Sequence, residues 1–280
     1  MSSLLVEKVL NNNVIIAKHP EYDEIVVIGK GIGFNRKSKD VIPMEAVEKM
    51  FILTNKEERD QYKQLVPHIN EQLIEVMNEA ILYISQQCKE PLNEHIHVAL
   101  TDHIAFAIKR LEQGLAIHNP FLFETKEIYP MEYEMAKHVV QMIKERMGVD
   151  LGEDEIGFVA LHIYSAMTNQ HITEIQEYSR LIADLVKIIE EKLGSPIPRD
   201  SLDFSRLLTH LRFAIERIRR GEKVKEATGL DRLLHQEYPE MYSLAWKLTK
   251  VMEQRLHKPV YQAEVSYLTV HLHRVAQKNE

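Results

Sequence analysis

Leu100-Thr101-Asp102-His103-Ile104-Ala105-Phe106-Ala107-Ile108-Lys109-Arg110 returns 107 residues later as Leu207-Leu208-Thr209-His210-Leu211-Arg212-Phe213-Ala214-Ile215-Glu216-Arg217. Apolar residues at spacings of three and four make each copy an amphipathic helix. Tyr129-Pro130 is answered by Tyr238-Pro239. Glu155-Ile156-Gly157-Phe158-Val159-Ala160-Leu161-His162 is answered by Glu264-Val265-Ser266-Tyr267-Leu268-Thr269-Val270-His271, now at an offset of 109. Two residues have therefore been inserted between the matches. Self-similarity on this scale marks a duplicated unit. The C-terminal part is read as two copies of one helical domain of about 105 residues, joined near His171 to Glu177, each with two equivalent histidines.

Upstream the period changes. Before about residue 55 the apolar runs are short and branched: Leu4 to Val6, Val14 to Ala17, Ile25 to Ile28 and Phe51 to Leu53. Such runs read as strands. Between them stand turn signals: Asn11-Asn12-Asn13, His19-Pro20-Glu21 with Asp23, and Gly29-Lys30-Gly31-Ile32-Gly33. A unit this short buries little surface, which makes pairing with a second copy physically reasonable. After the polar stretch Thr54 to Asp60, the spacing of Ile69, Leu73, Val76, Ala80, Ile81 and Ile84 predicts a helix from Pro67 to about Ser85. The expected fold is mainly α with a small N-terminal all-β domain. An antiparallel sheet head over 1–57 precedes helical bundle domains over 65–170 and 171–280.

At 280 residues the chain is about twice the roughly 150 expected of one domain. Its 35 Lys and Arg against 42 Asp and Glu give a net charge of -7, which excludes a wholly basic nucleic-acid coat. No stretch approaches the roughly 18 apolar residues of a membrane span. The N-terminus lacks a signal-peptide pattern, and Cys88 as the single cysteine excludes an intrachain disulfide or a Cys-rich zinc site. A cytoplasmic protein is expected.

Charge is unevenly distributed in the head. Residues 1–55 hold seven Lys and Arg and seven Asp and Glu, yet Lys30, Arg36, Lys37 and Lys39 precede any acid before Asp40. The glycines let backbone come close to a phosphate, and Phe34 offers a ring on which a base can stack. Asparagine amides supply both donor and acceptor for a base edge. The blander alternatives are turn asparagines that tolerate left-handed backbone and a hairpin with Phe34 in the core. A dinucleotide fingerprint fails on spacing.

A single histidine on an apolar helix face is more often a satisfied core residue than a reactive one. Recurrence at the same place, twice per copy, weakens that reading here. His95-Ile-His97 and His271-Leu-His273 make poor chelates, because residues two apart on a helix face differently, so no metal or cofactor is expected. No nucleophile elbow, P-loop or paired-carboxylate constellation suggests an enzyme. Reversible phosphorylation of imidazole remains, adding up to about two negative charges at an interface.

Lys8-Val9-Leu10-Asn11-Asn12-Asn13-Val14, Ile28-Gly29-Lys30-Gly31-Ile32-Gly33-Phe34 and the duplicated histidine-bearing helices together resemble the transcriptional antiterminators controlled by the sugar phosphotransferase system. The likeness spans the whole chain. Asn93 to Arg110 is similar to the glucose-operon branch. The resemblance implies a co-antiterminator RNA-binding domain that dimerises through four-stranded sheets, followed by two phosphotransferase regulation domains. The homodimer would hold a leader mRNA hairpin and so prevent terminator formation. RNA contact carries over by motif to Lys8, Asn11, Asn13, Gly29, Lys30, Gly31 and Phe34, with Arg36 and Lys37 on phosphates. The phosphoacceptors carry over to His103, His162, His210 and His271. The implied donors are a sugar-specific permease (enzyme II, here for glucose), which switches the protein off through the first domain, and the phosphocarrier protein HPr, which acts on the second. Asp102 matches a family position beside the acceptor, but Thr209 replaces it in the second copy. Two other classes stand against this reading: a DNA-binding activator with the same regulation domains behind a helix-turn-helix head, and a phosphocarrier that relays the group onward.

Overall fold

The computed structural model describes residues 3–52, 56–222 and 229–277. Five strands open the chain: β1 (Ser3–Val9), β2 (Val14–His19), β3 (Asp23–Ile28), β4 (Val41–Pro43) and β5 (Lys49–Phe51). They form one antiparallel sheet in the order β4-β1-β2-β3-β5. The expected four-stranded sheet is thus corrected to five. The additional strand, β4, is three residues long and ends in a proline, too short to show alternation and at an edge where proline is tolerated. Met50 and Phe51 are paired in β5, whereas Leu53 lies outside the described residues.

Both faces of β2 and β3 are buried over Val14 to Ala17 and Ile25 to Ile28, which is why these are continuous apolar runs, whereas β1 alternates between buried and exposed positions. On one face Leu4, Val6, Ile15, Ala17, Ile25, Val27, Ile32 and Ile42 form a core. On the other, Val26 pairs with Phe51, whose ring stacks on His97 at 3.9 Å and meets Tyr62 edge-on at 5.4 Å. Those two side chains belong to α3 (Ile96–Glu112) and α1 (Lys56–Leu65), so the head packs on the helices that follow it.

The described helices continue with α2 (Glu71–Gln87), α4 (Leu122–Ile128), α5 (Pro130–Met147), α6 (Glu153–Thr168), α7 (Ile172–Leu193), α8 (Leu202–Arg220), α9 (Leu230–Glu237), α10 (Pro239–Leu256) and α11 (Gln262–Ala276). One local expectation changes: α2 starts at Glu71 rather than Pro67. The polar Lys56–Leu65 segment ahead of it is also helical. Pro67 sits in a short 3-10 turn after which Ile69 is extended, and the Asn70 side chain caps α2 by accepting from Gln72 N at 2.8 Å. The join between the repeats is a single turn. Asn169 in left-handed conformation closes α6, and α7 begins at Ile172.

The chain divides into two compact units, residues 1–118 with 132–170 and residues 119–131 with 171–280. Helix α4 therefore packs with the second unit. There Ser205 donates to Glu127 at 2.6 Å, Arg212 donates to the Ile128 carbonyl at 2.8 Å, and Phe123 lies 5.8 Å from Phe204. Within the units, α3 packs on α6 and α8 packs on α11. This brings each pair of repeat histidines together.

Candidate RNA face and paired-histidine sites

The RNA candidates lie on two interlocked loops. Asn11 Oδ1 accepts from the backbone of Asn13 at 2.9 Å and of Val14 at 2.8 Å, closing the β1–β2 turn. Asn13 Oδ1 accepts from Gly31 N at 2.7 Å, and the Asn12 and Asn13 carbonyls accept from Gly33 N and Gly29 N at 2.8 and 3.1 Å. A Cβ on Gly29 would collide with the Ala46 carbonyl oxygen, and one on Gly33 with that of Asn11. The glycines are thus required for this close approach, as Gly31 is for its φ of 67°. Lys8, Lys30, Gly31, Arg36 and Lys37 are exposed, Asn11 and Asn13 half-buried, and Gly29 buried. Phe34 is 62% exposed, outside the core. The structure therefore gathers all nine positions at one end of the sheet, with Gly29 shaping the loop from beneath. The Asn11 amide nitrogen is buried without a hydrogen-bond partner.

Sequence reasoning missed the acids that meet this face. Glu71 accepts from Asn12 N at 3.3 Å, Glu75 from the Asn13 amide at 2.8 Å, and Glu48 from Lys30 N at 3.2 Å. Separations of 59 and 62 residues for the first two leave no local signal. Among the described head residues 3–52 there is no α-helix, so the helix-turn-helix alternative lacks its recognition element.

In the first unit the His103 and His162 rings lie 4.7 Å apart. His103 Nε2 is 2.9 Å from Glu155 Oε2, and Arg110 Nη2 donates to Glu155 Oε1 at 2.6 Å. Burial works to raise the Glu155 carboxyl, but His103 and Arg110 outweigh it and hold the group below the usual range. Burial, reinforced by His103 and His95, pushes His162 down to about 3. In the second unit the His210 and His271 rings stack at 3.4 Å. Arg217 makes a bidentate pair with buried Glu264, both bonds 2.7 Å. A cleft of about 640 Å³ is lined by Asp203, Arg206, His210, His271, Arg274 and Gln277. Burial, then His210 and the arginines Arg274 and Arg206, lowers His271 to about 4. His210 is lowered as well, by burial first and then by Arg217 and Arg274. A ring kept neutral retains the lone pair that phosphoryl transfer needs, and arginine matches phosphate geometry.

The structure thus brings His103 to His162 and His210 to His271. The carboxylates and arginines beside them were overlooked, although Arg110 and Arg217, and Glu155 and Glu264, stand at the ends of the repeated segments. His95 and His97 go separate ways, His95 to Ser165 at 3.2 Å and His97 to Phe51. Among the described residues no group of three ligating side chains could hold a metal, and no helix is long and apolar enough to cross a membrane.

Residues 4–60 match the CAT RNA binding domain family, and residues 78–166 and 183–275 match the PRD domain family. The PtsGHI operon antiterminator of Bacillus subtilis is 50% identical over 99% of this chain and 98% of its own length. Protein GlcT of Staphylococcus saprophyticus is 38% identical, covering all of both chains. The GlcA/glcB genes antiterminator of Staphylococcus carnosus is 36% identical over all of this chain and 98% of its own. A solved structure, that of GlcT CAT-PRDI, is 55% identical, covers 60% of this chain and 100% of its own, and superimposes with a TM-score of 0.55. With one CAT RNA binding domain ahead of two PRD domains and whole-length likeness to named antiterminators, the chain belongs to the family of antiterminator regulators, not enzymes, that join a CAT RNA binding domain to PRD domains.

Proposed function

We propose that this protein is a cytoplasmic transcriptional antiterminator for glucose phosphotransferase genes. As a homodimer it binds a leader mRNA hairpin and prevents the competing terminator from forming. The domains are 1–57 for RNA binding and 65–170 and 171–280 for regulation. Lys8, Asn11, Asn13, Lys30, Phe34, Arg36 and Lys37 contact the RNA, and Gly29 and Gly31 shape the loop that presents them. The observation that carries this reading is the placement of exposed Phe34 beside the Lys30, Arg36 and Lys37 cations on one rigidly cross-bonded loop pair. A stacking ring amid cations suits unpaired bases and their backbone.

Phosphorylation of His103 and His162 by the glucose permease switches the protein off, whereas HPr acts on His210 and His271. The added charge at paired helices, α3 with α6 and α8 with α11, shifts the population between active and inactive dimers. The test is a titration of the full chain against the hairpin from its own operon leader at two salt concentrations, with duplex DNA of equal length as control. RNA-selective binding with a modest salt slope is expected. Equal, steeply salt-dependent binding to both would overturn the reading.

A further inference from the structure

We propose that the first regulation domain accepts its phosphoryl group on Nδ1 of His103, and that Glu155 is the positioning residue that fixes this choice. The inference rests on the reading of His103 as a phosphoacceptor and names the atom that reacts. Glu155 is buried, and Arg110 holds its other oxygen at 2.6 Å. An ionised carboxylate only accepts hydrogen bonds, so at 2.9 Å it selects the tautomer in which His103 Nε2 carries the hydrogen. The lone pair then resides on Nδ1, for which the described residues supply no hydrogen-bond partner. The side chain of His103 is 18% exposed and can be reached from solvent.

Reaction at Nε2 would have to break the bond to Glu155 and would set a phosphoryl dianion against a buried carboxylate, an unfavourable like-charge pair. At Nδ1 the step closes without a proton leaving the site. The Nδ1 lone pair attacks the phosphorus carried by a phosphorylated nitrogen or sulfur of the donor protein. The bond from phosphorus to that donor atom breaks, and its electron pair departs with the donor. The ring of His103 is left positively charged with Nε2–H still bonded to Glu155, so the carboxylate compensates the new charge. Return of the group to the donor follows the same path in reverse.

The second unit lacks this device. Both Glu264 oxygens are taken by Arg217, and no hydrogen bond joins Glu264 to His210 among the described residues. Arg206 and Arg274 flank that histidine pair, whereas the repeat offsets place Ala99 and Ser165 at the corresponding positions of the first copy. Among the described residues, the carboxylate contact that fixes a ring nitrogen is therefore made at His103 and not at its repeat counterpart His210.

The experiment treats the full-length chain with phosphorylated HPr and the phosphorylated soluble domains of the glucose permease. The proteolytic peptide containing His103 is then enriched at alkaline pH with antibodies selective for Nδ1- or Nε2-phosphohistidine and localised by mass spectrometry. Enrichment by the Nδ1 antibody, at least tenfold over the other, is expected. Recovery of the peptide with the Nε2 antibody overturns the inference and leaves the proposed function standing. Absence of phosphate from His103 overturns that reading and the inference with it. Glu155→Gln, whose amide can present either a donor or an acceptor, should bring the isomer ratio towards parity. Undiminished Nδ1 selectivity in a Glu155→Gln chain with a native melting transition removes Glu155 from the role, and if the variant does not fold, the isomer found in the unmodified chain decides.

Discussion

Replacing Phe34 by alanine separates RNA recognition from folding. The ring is 62% exposed and lies outside the core of Leu4, Val6, Ile15, Ala17, Ile25, Val27, Ile32 and Ile42, so its loss should change stability by no more than about 0.5 kcal/mol. Stacking of a base on an aromatic side chain is worth about 1 to 3 kcal/mol, which predicts roughly 5- to 150-fold weaker binding of the leader hairpin. Phe34 carries no charge, so the slope of log affinity against log salt should not move. Lys37→Ala, by contrast, should reduce that slope by about 0.7 to 0.9 if it removes one phosphate contact. Fluorescence titrations at three salt concentrations, beside a thermal melt of each variant, measure both quantities. Unchanged affinity in a folded Phe34→Ala chain would refute the stacking role, and a changed salt slope would show that the loop itself had been rearranged.

Arg217→Met should destabilise the second unit by roughly 3 kcal/mol, because it strips both bonds from buried Glu264, and urea unfolding followed by circular dichroism would show an unaltered midpoint if that pair were incidental. Glu71→Gln with Glu75→Gln removes two carboxylates from beside Asn12 and Asn13 and should tighten RNA binding most at low salt, where weaker binding would contradict repulsion of the RNA backbone. The folded values of about 3 for His162 and about 4 for His271 lie below the ordinary 6.5, so the unfolded chain binds more protons between these limits. Stability should therefore fall as pH is lowered from about 6.5 to 4.5, by at most about 1.4 kcal/mol per pH unit for each histidine. Urea midpoints across that window should flatten in His162→Gln, and an identical slope in that variant would remove His162 as a source.

Much of this was visible before the structure. The two offsets of 107 and 109 already defined the duplication, and the α3 and α8 copies align at His103 and His210. The strands over Val14 to Ala17 and Ile25 to Ile28 were legible as apolar runs, although their unbroken character also signalled burial on both faces. What stayed hidden was either too short or too distant. Val41–Pro43 pairs with β1 over three residues and has no periodicity of its own. Lys56–Leu65 is polar, so its helix gave little apolar signal. The packing of α4 with the second unit depends on partners about 80 residues away, such as Ser205 and Arg212. Glu155 and Arg110 were legible in principle, since their counterparts Glu264 and Arg217 repeat with the histidines.

The central claim is that one chain couples RNA capture to histidine phosphorylation. Its most direct test is single-round transcription in vitro through the operon leader and terminator, with the full chain either unmodified or phosphorylated through the glucose permease. The account predicts that unmodified protein raises read-through, that permease-dependent phosphorylation abolishes the rise, and that His103→Ala makes read-through insensitive to the permease. Read-through that is unaffected by the protein, or equally high before and after phosphorylation of His103, would contradict it.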